Sequence, residues 1–463
     1  MDRIENRPFE ELQIGDSASI ARTLTYKDID LLSDVSRDIN PAHVDREFAK
    51  SDMLQQVVAH GIWGGALIST ILGTELPGPG TTYLGQSLRF RKPVELGDMI
   101  TVTVKLAQKY SDNHRVTFDC IATNQRGEVV IDGLAEVVAP ALKISRERVS
   151  LPDTGPHEKG RHYQQLIQQT RRLQPIRTAV VHPVDTVSLL GAIEAANANL
   201  IVPLLVGPEA KIRAAAAQAK LDLAGYELVP TEHSHAAAAY AAALARDHKV
   251  DALMKGGLHT DEFMGAIVAE ENLRTSRRMS HVFVIDAPGY PRPLFVTDAA
   301  INIYPTLTDK RDIIENAIEL AHALGNPEPR VAILSAVETV TEKIKSTLDA
   351  AALCKMAERR QITGGILDGP LAFDNAVSEE AAKTKGIVSP VAGRADIFVV
   401  PDLEAGNMLA KQLEYLAEAQ VAGIVLGARV PVILTSRADK TLARLGSCAI
   451  ALLLARHKMR VGP

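Results

Sequence analysis

Two polar residues near the N-terminus, Asp38 and His43, have side-chain types that together could move a proton. They lie in the segment DINPAH, in which Pro41 restricts the backbone and the polar neighbours indicate a loop or a helix–loop junction. A carboxylate and an imidazole held together can orient one water molecule and transfer one of its protons. The same spacing is also typical of a turn or a helix N-cap, so the pair by itself leaves both a catalytic and a structural role open.

A second group of reactive residue types lies in the C-terminal half, in short segments that contain glycine and arginine. Arginine suits phosphate because its guanidinium can form two parallel hydrogen bonds with phosphate oxygens, and glycine lets a ligand approach the backbone. In open α/β sheets, ligands bind where strands end. Each segment also fits a solvated turn or a helix cap. The candidate residues are Arg277, Arg278, Arg394, Ser436, Arg437 and Asp439.

The elements expected around the first pair form an α+β pattern. An apolar segment from Gly61 to Leu72 predicts a helix, and the apolar segments after Gly78 predict β-strands separated by turn residues. We expect an antiparallel meander that wraps the helix in a domain at residues 1–143. The predicted strands are TYLGQSLRF, DMITVTVKLAQ, HRVTFDCIATNQ and EVVIDGLAEVVA.

The elements expected around the second group form an α/β pattern. Residues 144–162 are polar, contain prolines and glycines, and show no sustained period, which predicts an interdomain linker. Beyond the linker, strand patterns such as IVPLLVG alternate with helix patterns such as PEAKIRAAAAQAK. This alternation predicts βαβ units and a mostly parallel sheet at residues 163–463.

The N-terminal motifs resemble one known family over nearly the whole domain. DINPAHVDREFA, followed by AHGIWGGALISTILGTELPGPGTTYLGQSLRFRKPVELGD, resembles the MaoC-like or R-specific enoyl-CoA hydratases, which have a hot-dog fold. The resemblance implies that Asp38 and His43 activate water for addition to a trans-2-enoyl-CoA, giving an (R)-3-hydroxyacyl-CoA, and that Asn40 helps to hold their loop. It also implies that the Gly61 N–H, at a helix N-terminus, polarises the thioester carbonyl. Ser69 occupies the family position that faces the active-site region.

The C-terminal segments, taken in order, resemble the phosphate acetyltransferase and phosphate butyryltransferase family from about Tyr163 onward. The resemblance implies an isocitrate-dehydrogenase-like fold with a ligand cleft between two subdomains. We expect these subdomains at about 163–293 plus 436–463, and at 294–435. The implied reaction passes an acyl group between the sulfur of CoA and a phosphate oxygen, without a covalent enzyme intermediate.

The same resemblance assigns roles within the segment LTSRADK. Ser436 and Arg437 match a Ser-Arg pair in which the serine bonds to the thioester and the arginine holds phosphate. In the acetyltransferase branch an aspartate further along accepts the thiol proton, but Ala443 stands at that place here. Asp439 is the nearest substitute base, with a helix N-cap as its alternative role.

Three further arginines are candidates for substrate binding. Arg277 or Arg278, in RTSRRMSHVF, would be a second phosphate ligand, with a surface basic pair as the alternative. Arg394, in SPVAGRADIFVV, is the third candidate.

Composition excludes several classes of function. A net charge of −5 and a pI near 6.2 provide no basic surface for nucleic acid. No apolar run is long enough for a bilayer, and MDRIENRPFE lacks a secretion signal, so we expect a cytoplasmic protein without a membrane partner. The cysteines Cys120, Cys354 and Cys448 have no metal-ligand spacing, and GxGxxG and Walker A motifs are missing.

The sequence therefore predicts a multidomain, bifunctional enzyme of acyl-CoA metabolism. We expect no permanently bound cofactor and no metal, with CoA thioesters and inorganic phosphate as substrates. We also expect at least a dimer, because hot-dog sheets pair edge to edge. Two alternatives stay open: the hot-dog domain only binds acyl-CoA without turnover, or the C-terminal half is a dehydrogenase of the same fold.

Overall fold

The chain forms two compact units, residues 1–156 and 157–463, in a computed structural model. The structure describes residues 3–44, 57–147, 160–434 and 441–461. Within these ranges no helix is both long and apolar enough to cross a membrane.

The first unit contains three described α-helices and seven described β-strands. In chain order they are β1 (Arg3–Glu5), β2 (Ser17–Thr23), α1 (Tyr26–Ser36), α2 (Pro41–Val44), α3 (Ile62–Thr74), β3 (Thr82–Phe90), β4 (Met99–Tyr110), β5 (Arg115–Thr123), β6 (Val129–Val138) and β7 (Ser145–Glu147).

The sheet of the first unit is antiparallel and has the strand order β2-β4-β5-β6-β3. Its strands alternate buried and exposed side chains, as in β4, because successive residues point to opposite faces. The buried face packs on α3, whose apolar side chains join the core of this unit. The expected meander holds only for β4 to β6, because β3 pairs with β6 and the unexpected strand β2 pairs with β4. A sheet wrapped around one helix positions the N-terminus of α3 beside the sheet.

The ends of the first unit also pair with each other. Strand β1 pairs antiparallel with β7, which lies within the range expected for the linker. The expected domain bounds at 143 and 163 remain predictions.

The second unit is a large α/β structure. In chain order its elements are α4 (Arg161–Thr170), β8 (Ile176–Val181), α5 (Thr186–Asn197), β9 (Ile201–Gly207), α6 (Glu209–Ala219), β10 (Glu227–Pro230), α7 (Ser234–Arg246), β11 (Ala252–Lys255), α8 (Thr260–Ala269), β12 (Ser280–Asp286), β13 (Leu294–Thr297), α9 (Leu307–Ala323), β14 (Arg330–Leu334), α10 (Lys345–Glu358), β15 (Ile366–Leu371), α11 (Phe373–Val377), α12 (Glu379–Thr384), β16 (Ile397–Val399), α13 (Leu403–Leu416), β17 (Gln420–Leu426), β18 (Val432–Ile433) and α14 (Thr441–Val461).

One eleven-stranded sheet runs through the second unit in the order β10-β9-β8-β11-β18-β17-β12-β13-β16-β14-β15. Pairing is parallel from β10 to β18 and again from β13 to β15. The strands β17 and β12 interrupt it with antiparallel pairing. The mostly parallel sheet expected from the sequence is therefore present. Because β17 is antiparallel to both β18 and β12, those two strands run in the same direction.

Candidate active sites

The first candidate site begins in the loop between α1 and α2. Helix α1 ends at Ser36, and Arg37 takes a left-handed conformation with φ 59°. Asp38 Oδ1 then accepts a hydrogen bond from the Asn40 N–H at 3.1 Å, and Asn40 Oδ1 accepts one from the Ala42 N–H at 3.2 Å. These two local bonds are the turn chemistry typical of Asp and Asn. They hold the Asp38 carboxylate directly before α2, which carries His43.

His43 is oriented by a backbone carbonyl. Its Nδ1 lies 2.9 Å from the carbonyl oxygen of Val58. A carbonyl oxygen can only accept, so Nδ1 carries the proton and the neutral ring has its lone pair on Nε2. The Nε2 atom is thus the one available to take a proton from water.

His60 completes this cluster, although the sequence analysis assigned it no role. Its ring stacks on that of His43 at a centroid distance of 4.0 Å. Its Nε2 lies 3.8 Å from Asp38 Oδ2 and 3.3 Å from the Ser33 hydroxyl. His60 is 5% exposed, and its Nδ1 is buried without a hydrogen-bond partner in the described part of the chain. The segment AHG was the signal that could have pointed to His60, but from that segment we expected a role only for Gly61.

The environment of His60 keeps its ring uncharged. Burial lowers the pKa of His60 below its ordinary value and His43 lowers it further, whereas Asp38 acts in the opposite direction. A protonated His60 would face His43 without enough water to solvate it. His60 is therefore neutral at pH 7 and can pack against His43 without adding positive charge.

Gly61 lies at the N-cap of α3, as expected. Within the described ranges, no acceptor bonds to its N–H. A helix N-terminus combines such free donors with a favourable dipole for negative charge. Gly61 also lines a cavity of about 210 Å³. The walls of that cavity are Ala59, His60, Gly61, Trp63, Gly64, Phe90, Arg91, Lys92, Pro93, Val94 and Ile131.

Two features of α3 bear on this cavity and on the expected role of Ser69. A side chain at Gly64 would place its Cβ 2.1 Å from Ile131 Cδ1, so any larger residue would require the Ile131 side chain on β6 to move. Ser69 lies two turns further along α3, on its exposed face. Its role in substrate binding remains a prediction.

The same cluster has the composition of a metal site. Ligand atoms of Asp38, His43 and His60 all lie within 4.8 Å of one another. Two imidazoles and one carboxylate are a ligand set that several transition metals accept. The arrangement of these three side chains therefore supports proton transfer without a metal. Whether the cluster binds a metal ion can be tested by experiment.

Replacing His60 tests whether it positions the cluster. We expect His60→Asn to lower kcat for crotonyl-CoA hydration about tenfold, because Asn cannot stack on His43 or reach Asp38. We expect KM to change little, because His60 would act through its neighbours and not on the substrate. Steady-state kinetics would measure both values. His114→Asn, which removes a ring stacked on Phe9 in the same unit, is the matched control. Unchanged kcat in His60→Asn would contradict the positioning role.

The second candidate site lies at the carboxyl ends of parallel strands in the second unit. The Gly256 N–H bonds to the Val181 carbonyl at 2.9 Å, and the Gly257 N–H bonds to the His182 carbonyl at 2.8 Å. A Cβ at Gly256 would lie 2.4 Å from the Val181 oxygen, so the backbones following β11 and β8 approach more closely than other residues allow. His182 itself has a left-handed backbone with φ 57°. This edge therefore combines an imidazole with tightly packed glycine backbone.

Lys255 adds a cation at this edge. Its Nζ donates to the Leu258 carbonyl at 3.0 Å. Burial lowers the pKa of the His182 imidazole at the same edge. No role was expected for either residue from the sequence, although their segments, HPVDTVSLLGAI and DALMKGGLHT, belong to the resemblance to the phosphate acyltransferases.

Ser436, Arg437 and Asp439 lie outside the described residues. The elements on either side are described: β18 pairs in parallel with β11, and α14 begins at Thr441. The carboxyl end of β18 is therefore at the same edge of the sheet as Lys255. The assigned roles of these three residues remain predictions.

The structure places the three other arginines in ion pairs. Arg277 Nη1 lies 2.7 Å from Glu319 Oε2, and Arg394 Nε lies 2.7 Å from Glu379 Oε1. Arg278 Nη1 lies 3.4 Å from Asp309 Oδ1.

Their positions differ as well. Arg277 and Arg278 precede β12, which runs in the same direction as β18, so they lie at the edge opposite to the carboxyl end of β18. Phosphate binding by any of the three stays a prediction, and their carboxylate partners would compete with the phosphate.

Comparison with known sequences identifies both regions. Residues 231–452 match the family described as Phosphate acetyl/butaryl transferase, and residues 13–126 match the MaoC like domain. A phosphate acetyltransferase of Rhizobium meliloti is 63% identical over 297 residues, which make up 64% of this chain and 94% of that relative. The chain thus belongs to the phosphate acetyl/butyryl transferase family, with a MaoC-like domain ahead of that region.

Two solved structures are similar to parts of the chain. A branched-chain phosphotransacylase from Enterococcus faecalis V583 superimposes with a TM-score of 0.54 at 28% identity, covering 61% of this chain and 99% of its own. An R-hydratase from Pseudomonas aeruginosa, in its unliganded form, is 41% identical with a TM-score of 0.32, covering 33% of this chain and 97% of its own. The hot-dog fold and the phosphate acyltransferase α/β fold expected from the sequence are confirmed.

Proposed function

We propose that the chain is a bifunctional acyl-CoA enzyme. One activity is the reversible hydration of trans-2-enoyl-CoA to (R)-3-hydroxyacyl-CoA, and the other is the reversible conversion of acyl-CoA and phosphate into acyl phosphate and CoA. The observation that carries the first is the cluster of Asp38, His43 and His60. His60 directly precedes Gly61, whose N–H has no acceptor among the described residues. Membership of the phosphate acyltransferase family supports the second.

In the proposed hydration, Asp38 and His43 bind one water molecule between them. His43 Nε2 takes a proton from this water as its oxygen bonds to C3 of the enoyl group, and the protonated His43 then returns that proton to C2 to complete the addition. Negative charge develops on the thioester oxygen during the attack. The Gly61 N–H, at the positive end of α3, donates to that oxygen and lowers the barrier.

Chelation tests whether this cluster works without a metal. We expect dialysis of the full-length protein against EDTA to leave crotonyl-CoA hydration unchanged, because the proposed mechanism needs only proton transfer. The rate would be followed by loss of enoyl absorbance, and a sample dialysed without EDTA is the control. Activity that disappears and returns with Zn²⁺ or Mn²⁺ would establish a metal site at Asp38, His43 and His60.

In the proposed acyl transfer, a phosphate oxygen attacks the thioester carbonyl and the C–S bond breaks, so that CoA leaves as a thiolate and takes up a proton. Arg437 would hold the phosphate, and Ser436 would donate a hydrogen bond to the thioester as charge develops. Asp439 would donate or accept the thiol proton. The substrates are CoA thioesters and inorganic phosphate, and no permanently bound cofactor takes part.

The two alternatives predict different activities. An acyl-CoA-binding hot-dog domain would bind crotonyl-CoA without hydrating it, and a dehydrogenase would reduce NAD. The dehydrogenase is not favoured, because the relatives found are phosphate acyltransferases. Assays of the purified chain with crotonyl-CoA, with acetyl-CoA or butyryl-CoA plus phosphate, and with NAD separate all three. Hydration together with phosphate-dependent release of CoA, without NADH formation, is the expected result.

Further properties belong to this proposal. We place the chain in the cytoplasm and expect a homo-oligomer of at least two copies. We also propose domain bounds of 1–143, 144–162 and 163–463, with subdomains in the last.

A further inference from the structure

A large cavity in the second unit lies apart from the proposed acyl-transfer edge. Its volume is about 910 Å³. It is bordered by the residues just before β11 and β12, by the turn between β17 and β18, and by α9 and α14. Since β11 and β18 both run away from this cavity, it lies at the sheet edge opposite to Lys255. Its walls are His248, Val250, Asp251, Arg274, Thr275, Ser276, Arg277, Asn316, Glu319, Gly427, Arg429, Val430, Pro431, Ala455, Lys458 and Met459.

The lining of the cavity has more cations than carboxylates. Four cationic side chains line it against two carboxylates, and a third carboxylate, that of Glu315, lies 3.8 Å from Arg277 Nε. Glu319 is shared, since it lies 2.7 Å from Arg277 Nη1 and 3.7 Å from Lys458 Nζ. Across the described ranges, no carboxylate lies within ion-pair distance of Arg274 or Arg429. The wall therefore has a local excess of positive charge.

Lys458 shows that this charge is incompletely stabilised. Its side chain is 23% exposed, and its Nζ donates to the Ala428 carbonyl at 3.0 Å. Burial lowers the pKa of Lys458, Glu319 raises it, and Arg277 lowers it again. An anion bound beside Lys458 and Arg277 would remove this repulsion.

The cavity also has an apolar part of its lining, which consists of Val250, Val430, Pro431, Ala455 and Met459. Pockets for small molecules measure about 300–1,000 Å³ and combine an apolar lining with a few polar groups. Inorganic phosphate alone would leave the apolar wall unused.

We propose that this cavity, which we name the α14 pocket, binds an organic phosphate of nucleotide size, separately from either active site. The phosphates contact Arg429 and Lys458, and the organic part packs on Val430 and Met459. The proposal does not depend on either proposed activity, because binding is measured directly.

Calorimetric titration of the full-length protein with ADP tests the proposal. The titration uses the free protein, because CoA is itself an organic phosphate of nucleotide size and would compete for the pocket. We expect ADP to bind, and inorganic phosphate, titrated in the same way, to bind at least about tenfold more weakly because it lacks the organic part. Absence of ADP binding, or equal affinity for phosphate, would overturn the ligand class.

Charge reversal locates the site. We expect Arg429→Glu to weaken ADP binding at least about tenfold, and Met459→Glu to weaken it by a similar factor through the apolar wall. Both side chains are exposed, so neither change disturbs the core. Arg359→Glu, at another exposed arginine of the same unit outside the pocket, is the matched control and should leave binding unchanged. ADP affinity that is equal in Arg429→Glu and the unchanged protein would overturn the proposal.

Discussion

Asp38→Asn should abolish hydration of crotonyl-CoA and leave phosphate-dependent acyl transfer near the wild-type rate. The asparagine oxygen can still accept the hydrogen bond from the Asn40 N–H, so the loop keeps its shape. What is lost is the negative charge beside the reacting water. Both activities would be assayed on the same preparation. Asp34→Asn, at an exposed aspartate on α1, is the matched control.

His43→Ala should have a similar effect. We expect a barrier higher by about 3–5 kcal/mol if Nε2 takes the proton from water. A change of less than about threefold would return His43 to a structural role. Equal loss of hydration and acyl transfer in either variant would contradict two independent sites.

The second large effect concerns Ser436 and Arg437. Phosphate must be held against a neutral thioester until its oxygen attacks, so Arg437→Gln should raise the phosphate KM strongly and affect CoA binding far less. Ser436→Ala removes a hydrogen bond that strengthens as the tetrahedral centre forms. Its effect should appear mainly in kcat, by about 2–4 kcal/mol.

Steady-state kinetics in both directions would measure these constants, with crotonyl-CoA hydration followed in parallel. Arg359→Gln is the matched control for loss of one exposed guanidinium. If either variant leaves acyl transfer unchanged, or lowers hydration instead, the assignment of LTSRADK to acyl transfer is wrong.

Local pattern was enough to predict α3 and the strands β3 to β6 of the first unit. The segment TYLGQSLRF matches β3, and the helix expected from Gly61 to Leu72 is α3 at Ile62–Thr74. Such elements are predictable because a period of two or of 3.6 residues is a property of neighbouring residues. The strand order was not predictable in this way. Strand β3 reaches β6 across two intervening strands, and this pairing depends on how the whole sheet packs on α3.

The sequence by itself determined both families and the two kinds of fold, and it predicted the roles of Asp38, His43 and Gly61, because these depend on residue type and order. Only the tertiary structure decided that His60 stacks on His43, and that Arg277 pairs with Glu319. The physical reason is distance along the chain. A motif specifies which side chains are present, but charge and proton affinity depend on partners that the fold brings from remote segments.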